Sequence, residues 1–109
     1  MSEPYFRGVP AELLSVTIFA QFRAKPGQEA RLLRELKRLP ESTRAEAGCI
    51  TYDLHQSQSD PSVFVFYEKW ASQEALDAHF GTPHLRALLK RVPELVEGSP
   101  EITKWNIVK

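Results

Sequence analysis

The chain has 109 residues, with 14 lysines and arginines against 14 aspartates and glutamates, and 42% of its residues are hydrophobic. These proportions are typical of one soluble globular domain. The net charge of zero argues against proteins that bind a nucleic-acid backbone or an anionic membrane through bulk charge. A chain of this length buries only about two-thirds of its unfolded surface, so surplus apolar surface indicates a partner.

The N-terminus and the single cysteine bear on location. No segment has the roughly 18 apolar residues of a membrane-spanning helix, and no basic stretch precedes an apolar run as in a secretory signal. We therefore expect a cytoplasmic protein. Cys49 is the only cysteine, which excludes an intrachain disulfide and a cysteine-based zinc cluster within this chain. Its place after Gly48, at the start of an apolar run, favours a small buried thiol over a nucleophile.

The N-terminal part of the chain predicts an arm followed by a strand. Residues 1–12 contain prolines and a glycine without any periodicity and predict a loosely held N-terminal arm. We therefore place the domain at residues 13–109. The even positions from Leu14 to Phe22 are apolar, which indicates a strand with one apolar face.

Leucines at helical spacing predict a helix over residues 28–39. Basic and acidic side chains alternate around the rest of its surface, which is typical of a solvated helix face. Pro40 should end or kink this helix, with a short second piece over residues 41–47.

Two further strands form a predicted hairpin. Residues 49–57 alternate apolar and polar positions, the segment Ser-Asp-Pro-Ser is a turn, and residues 63–70 read as the next strand. In that strand Val63, Val65 and Tyr67 lie on one face, and Phe64, Phe66, Glu68 and Trp70 on the other. Both faces of the strand therefore need cover.

The C-terminal part predicts two helices and a last strand. Ser72 is a suitable N-cap for a short helix over residues 73–80, which Gly81 ends. Thr82 and Pro83 can begin the next helix, which we expect Pro93 and Gly98 to close. The segment from residue 101 to 109 reads as the fourth strand.

This order of elements predicts an α+β fold of the ferredoxin-like type, an antiparallel four-stranded sheet with helices on one face. Helices on one side leave the other side of the sheet bare. Because the third strand is apolar on both faces, we expect a homodimer in which two sheets pack face to face.

A longer pattern carries a resemblance to a known family. It is the run GCITYDLHQSQSDPSVFVFYEKWASQEALDAHFGTPHL, and its most specific parts are Gly48-Cys49, Asp60-Pro61, Glu68-x-Trp70 and the pair His79 and His84. The run resembles the antibiotic biosynthesis monooxygenase (ABM) family, dimeric α+β barrel proteins that include quinol monooxygenases. The similarity extends over about residues 14–108.

The resemblance implies several activities. Many members oxidise electron-rich phenols or quinols with molecular oxygen and without flavin, haem or metal, and others isomerise small phosphorylated sugars. A further group degrades haem with an Asn, a Trp and a His. Ala20, His79 and Leu89 occupy those positions here, which argues against a haem role. We therefore expect a cofactor-independent monooxygenase acting on a small electron-rich aromatic with molecular oxygen.

Two residues are our candidate catalytic groups. His79 is the candidate base, since a histidine near neutrality accepts a phenolic proton and the resemblance places it beside the cavity. Glu68, flanked by aromatic residues, can tune His79 or hold it in one tautomer. Each residue also has a purely structural interpretation. His79 can be a helix-capping histidine, and Glu68 can form an ion pair with an Arg or Lys.

The candidate substrate-binding residues are mainly aromatic, namely Trp70, Tyr52, His84, Phe64 and Phe66. Aromatic walls with a few polar groups are typical of a small-molecule cavity. Packing in the core or on the sheet is the alternative for Tyr52 and Trp70, and a structural hydrogen bond is the alternative for His84. We predict no metal site, because His79 and His84 are separated by Gly81 and Pro83 and so do not occupy adjacent turns of one helix.

Other functions remain open. The chain can be a non-enzymatic dimer that binds a small metabolite, or an isomerase of a small phosphorylated sugar. RNA-recognition domains share the strand order, but neutral charge and the expected burial of the sheet face at the dimer argue against nucleic acid as a partner.

Overall fold

The fold is taken from a computed structural model, which describes residues 10–109. Residues 1–9, most of the predicted arm, lie outside the described residues, so the arm and its boundary stay predictions. The helices and strands in chain order are α1 (Ala11–Leu14), β1 (Val16–Arg23), α2 (Glu29–Leu36), α3 (Leu39–Arg44), β2 (Cys49–Gln56), β3 (Val63–Trp70), α4 (Gln73–Phe80), α5 (Pro83–Leu95) and β4 (Glu101–Trp105).

The four strands form one sheet in the order β2-β3-β1-β4, with every neighbouring pair antiparallel. The two central strands, β1 and β3, come from opposite halves of the chain. This arrangement confirms the predicted ferredoxin-like α+β fold. None of the described helices is long and apolar enough to cross a membrane.

The helix boundaries differ from prediction at two prolines. Pro40 does not end a long helix: α2 already ends at Leu36, and Pro40 lies in the first turn of α3, where its missing N–H needs no partner. Pro93 does not close α5, which runs on to Leu95. The helical hydrogen bonding continues beyond Pro93, because the Val96 N–H donates to the carbonyl oxygen of Val92.

Two strand ends also differ from prediction. β1 begins at Val16 and not at Leu14, because Leu14 ends the single turn of α1. β4 ends at Trp105, and the last four residues of the predicted strand have no strand pairing.

One face of the sheet carries the core. The even-numbered side chains of β1 and β3 point toward the helices and are buried, in strict alternation with the odd-numbered ones. They pack against leucines of α2, α3, α4 and α5, namely Leu32, Leu36, Leu39, Leu76, Leu85, Leu88 and Leu95.

The other face of the sheet, which we call the open face, carries Phe19, Val65, Tyr67 and Trp105. The Phe19 ring lies 5.4 Å from the Tyr67 ring and 6.2 Å from the Trp105 ring, measured between centroids. About 39% of Phe19 and 55% of Trp105 are exposed. The described helices therefore leave an aromatic cluster uncovered, as the two apolar faces of the third strand predict.

Candidate active site

A cavity of about 60 Å³ lies between the helix-facing side of the sheet and the helices. Tyr52, Phe66 and Glu68 line it from the sheet, and His79 lines it from α4. At its mouth stand three apolar side chains that are each about 40–46% exposed, Phe80, Leu89 and Ile102. The cavity is thus an apolar space with three ionisable side chains, those of Tyr52, Glu68 and His79, and an apolar entrance.

The end of α4 holds His79 in place. The Ser72 hydroxyl caps the start of this helix by accepting a hydrogen bond from the Ala75 N–H. At its other end, the Thr82 hydroxyl donates to the carbonyl oxygen of His79 at 2.7 Å. His79 itself is only 2% exposed, so its ring orientation is set by its neighbours and not by solvent.

A single carboxylate oxygen joins two histidines. Nδ1 of His79 lies 2.9 Å from Oε2 of Glu46, and Nε2 of His84 lies 2.6 Å from the same oxygen. Because a carboxylate only accepts hydrogen bonds, both imidazoles donate to it. His79 therefore carries its proton on Nδ1, and the neutral ring keeps a lone pair on Nε2. Burial lowers the pKa of His79, and the Glu46 carboxylate opposes that shift.

Glu68 is a buried carboxyl group that is hydrogen-bonded to Trp70. Its Oε1 accepts a hydrogen bond of 2.9 Å from the Trp70 indole N–H, and neither residue is more than 4% exposed. Burial raises the pKa of Glu68 to about 7; the Trp70 hydrogen bond opposes this shift and the Glu46 charge adds to it. Near neutrality Glu68 can therefore either donate or accept a proton.

Tyr52 forms the flat wall of the cavity. Its ring stacks on Phe66 at 4.5 Å between centroids and meets His79 at 5.6 Å. Burial, followed by the Glu68 charge, raises the pKa of Tyr52 well above its usual range, and the neighbouring Thr43 hydroxyl opposes the shift. The phenol stays protonated and can offer only a neutral hydrogen bond.

The structure brings four of the predicted site residues to the cavity, His79, Glu68, Tyr52 and Phe66. The other three lie elsewhere. Trp70 packs behind the cavity, with its ring 4.6 Å from that of His79. His84 lies beyond Glu46 in a groove on the surface. Phe64 lines a different depression, between β2 and the helices that precede it.

Glu46 is the site residue that sequence reasoning missed. We expected Glu68 to hold His79 in one tautomer, but among the described residues the carboxylate bonded to His79 is that of Glu46. Glu46 lies in the turn between α3 and β2, 33 positions before His79. The only local signal is an acidic residue just before the Gly48 turn, and that signal is too common to single it out.

The single cysteine lies close to the same turn. Cys49 is half-buried and packs against the core. Burial, followed by the Glu46 charge, raises its pKa. The group is therefore a thiol at neutral pH, which supports the interpretation of Cys49 as a packing residue.

The raised pKa of Glu68 predicts a pH-dependent stability. Above its ordinary value of 4.5 and up to about 7, the unfolded chain loses this proton while the folded chain keeps it, so the free energy of unfolding falls as pH rises. Glu68→Gln keeps an acceptor for the Trp70 N–H but removes the titration. We expect it to be more stable than the parent protein above pH 7, by up to about 3 kcal/mol.

Urea unfolding between pH 5 and pH 8 measures this difference. Glu101→Gln, at an exposed position of β4, controls for the loss of one negative charge. A difference between Glu68→Gln and the parent protein that is the same at both ends of this range would contradict the prediction.

Comparisons with known proteins agree with the fold. A family model described as antibiotic biosynthesis monooxygenase matches residues 15–91. The chain is 35% identical to the putative monooxygenase Rv0793 of Mycobacterium tuberculosis over 81% of this chain and 86% of that one. It is 29% identical to the probable quinol monooxygenase YgiN of Escherichia coli over 71% of this chain and 84% of that one.

Solved structures give the same assignment. The crystal structure of PA3566 from Pseudomonas aeruginosa superposes with a TM-score of 0.84 at 33% identity, over 88% of this chain and 96% of that one. A longer relative, sll1783 of Synechocystis, is 27% identical, and the chain spans 64% of its length. The match over most of the domain shows that the chain belongs to the antibiotic biosynthesis monooxygenase family.

Proposed function

We propose that this protein is a cofactor-independent monooxygenase that oxidises a small electron-rich phenol or quinol with molecular oxygen. The observation that carries the proposal is the 2.9 Å contact between Nδ1 of His79 and Oε2 of Glu46, which assigns the proton of the neutral His79 ring to Nδ1. The lone pair on Nε2 is therefore available as a base beside an apolar cavity. The names of Rv0793 and YgiN support the same class of reaction.

The first step is removal of a proton. With the substrate ring against Tyr52 and Phe66, Nε2 of His79 accepts the phenolic proton, and the Glu46 carboxylate stabilises the resulting imidazolium through Nδ1. The phenolate that remains is electron-rich enough to reduce oxygen itself. This chemistry needs no electron carrier.

The second step joins oxygen to the ring. One electron passes from the phenolate to dioxygen, and the two radicals combine at a ring carbon to give a peroxide. His79 returns its proton to the peroxide, and loss of the ring C–H proton with cleavage of the O–O bond yields a quinone and water. Glu68 and Tyr52 can hydrogen-bond the oxygen atoms, and the apolar walls keep bulk water away from the anion.

The size of the cavity points to how the substrate sits. A volume of about 60 Å³ exceeds the ~10–15 Å³ that one water needs and suits dioxygen together with one edge of a ring. The rest of an aromatic substrate would lie across the exposed apolar mouth formed by Phe80, Leu89 and Ile102. The described cavity lining contains no Lys or Arg, which disfavours a phosphorylated sugar as substrate.

Oxygen uptake tests the activity. With hydroquinones, anthrones and naphthols as substrates, we expect consumption of one dioxygen for each quinone formed, in protein treated with a chelator and free of flavin. If ligands raise the melting temperature while no substrate in the panel is consumed above the uncatalysed rate, the protein is a non-enzymatic binding module and the proposal fails.

We also propose that the protein is a homodimer in which two open faces pack against each other. The exposed aromatic cluster of Phe19, Tyr67 and Trp105 supports this, because a monomer would leave it in water. Light scattering after size exclusion at micromolar concentration should give twice the chain mass. Phe19→Glu places a charge in that contact and should give a monomer, and a monomeric parent protein would refute the pairing.

A further inference from the structure

The cluster formed by Glu46, His79 and His84 has a chemistry that the proposed oxygenation does not use in full. Their ligating atoms all lie within 4.8 Å of one another. Two of these atoms are imidazole nitrogens and one is a carboxylate oxygen, the combination that borderline divalent metals prefer in proteins. Within the described residues, this is the one group of three such side chains whose ligating atoms converge.

We propose that Glu46, His79 and His84 form a binding site for a divalent transition-metal ion of the Zn²⁺, Co²⁺ or Ni²⁺ type. The ligand atoms would be Oε2 of Glu46, Nδ1 of His79 and Nε2 of His84, with water completing the coordination. Around a tetrahedral ion with metal–ligand bonds of about 2.0–2.2 Å, ligand atoms lie about 3.3–3.6 Å apart. The Glu46 oxygen, now 2.9 Å and 2.6 Å from the two nitrogens, would move away from each by less than about 1 Å. The two nitrogens, at most 4.8 Å apart, would approach each other by no more than about 1.5 Å.

The burial of the three side chains suits a site that an ion can enter. The His79 side chain is 2% exposed, that of Glu46 12% and that of His84 24%. His79 is thus fixed by packing, while His84 faces a groove of about 330 Å³ on the surface and has room to adjust. This gradient gives an entry path from solvent to the innermost ligand.

The charge balance also suits a cation. Glu46 makes no ion pair with a Lys or Arg among residues 10–109, and its close partners are the two imidazoles. With both imidazoles neutral, the half-buried carboxylate lacks a neutralising ion-pair partner among the described residues. A divalent ion would supply it and would replace the two hydrogen bonds to Oε2 with stronger coordinate bonds.

Metal binding would change the proton positions on His79. A neutral imidazole that binds metal through Nδ1 carries its proton on Nε2, so the ion would move the proton of His79 from Nδ1 to Nε2. Nε2 could then no longer accept a proton from the substrate. The ion therefore acts as a reversible inhibitor, a consequence that rests on the proposed function, whereas the binding site itself does not.

Calorimetric titration of the untagged, chelator-treated full chain with ZnCl₂ tests the site. We expect one Zn²⁺ per chain with a micromolar or tighter Kd. Glu46→Gln and His84→Asn each remove one ligand and should weaken binding at least about 100-fold, more than the loss of an outer-shell partner costs. His55→Asn is the matched control, because His55 is the third of three histidines and lies exposed on β2; it should leave the Kd unchanged.

Three results would overturn the site. They are the absence of Zn²⁺ binding by the parent protein, equal weakening by His55→Asn and His84→Asn, and loss of binding in Cys49→Ser, which would assign the ion to the thiol. Circular dichroism on each variant shows whether a loss of binding comes from misfolding. If His84→Asn does not fold, His84→Gln measures the same ligand.

Oxygen uptake separates this inference from the proposed function. Where a phenolic substrate is consumed, added Zn²⁺ should reduce the rate in step with the occupied fraction, and a chelator should restore it. If no substrate is consumed, the calorimetric result still decides whether the metal site exists. If Zn²⁺ binds with the expected ligand dependence and leaves the rate unchanged, the inhibitory role is wrong.

Discussion

His79→Gln is expected to lower kcat for phenol oxidation by about 100- to 10,000-fold, the usual contribution of a positioned general base. Glutamine has a similar volume and can still donate a hydrogen bond to Glu46, but its amide cannot take up a proton. The substrate would therefore bind without being ionised. Because the phenol reacts with oxygen only as its anion, the loss should fall on kcat and leave KM nearly unchanged.

Two further variants show whether the loss of kcat comes from removing the base. Glu46→Gln leaves His79 in place but removes the charge that stabilises its protonated form, so a smaller loss of kcat is expected. His55→Gln, on the open face, should match the parent protein. Steady-state oxygen uptake at several pH values measures all three. A His79→Gln protein with full activity would show that another group removes the proton.

The fold could be predicted wherever the local pattern and the tertiary environment agree. In β3 the alternation of Phe64, Phe66, Glu68 and Trp70 with the intervening residues predicts the strand and shows which side chains share a face. In α4 the Ser72 cap and the Gly81 end give the correct bounds. These interactions join residues that are close in sequence, so they can be recognised from the sequence alone.

A proline does not by itself determine where a helix begins or ends, because it is excluded from some helix positions but compatible with several others. Pro40 is tolerated in the first turn of α3, where an N–H has no partner in any case. Pro93 is tolerated near the end of α5, where Lys25 donates a hydrogen bond to the Pro93 carbonyl oxygen at 2.6 Å. Tertiary contacts of this kind leave no local trace.

The site could be predicted only in part, for the same reason. The aromatic residues and Glu68 share one face of a strand, and that face follows from periodicity. The bond between Glu46 and His79 joins a turn to a helix 33 residues later, and neither segment indicates the other. The same limit applies to His79 and His84, which do not occupy adjacent turns of one helix and meet only through the distant Glu46.

Gly48 lies where the turn that carries Glu46 packs closely against α4. Gly48→Ala is expected to lower the free energy of unfolding by about 2–5 kcal/mol. Gly48 has φ +83°, a left-handed conformation that alanine adopts only with strain, and a Cβ there would lie 2.5 Å from the Cβ of Ala75. Its carbonyl oxygen accepts a hydrogen bond from the Ala71 N–H at 2.8 Å, so the turn cannot simply move away.

Two variants separate the backbone strain from the steric contact. Gly27→Ala has a similar φ of +84° with nothing within 4 Å of the added Cβ, and should lose only about 1–2 kcal/mol. Adding Ala75→Gly to Gly48→Ala removes the contacted Cβ at a helix-propensity cost of about 1 kcal/mol, and should recover part of the loss if the contact is the larger component. Urea unfolding of the four proteins measures each free energy. Equal losses for Gly27→Ala and Gly48→Ala would mean that α4 shifts to accept the methyl group, and the turn that carries Glu46 would then be less rigid than its contacts imply.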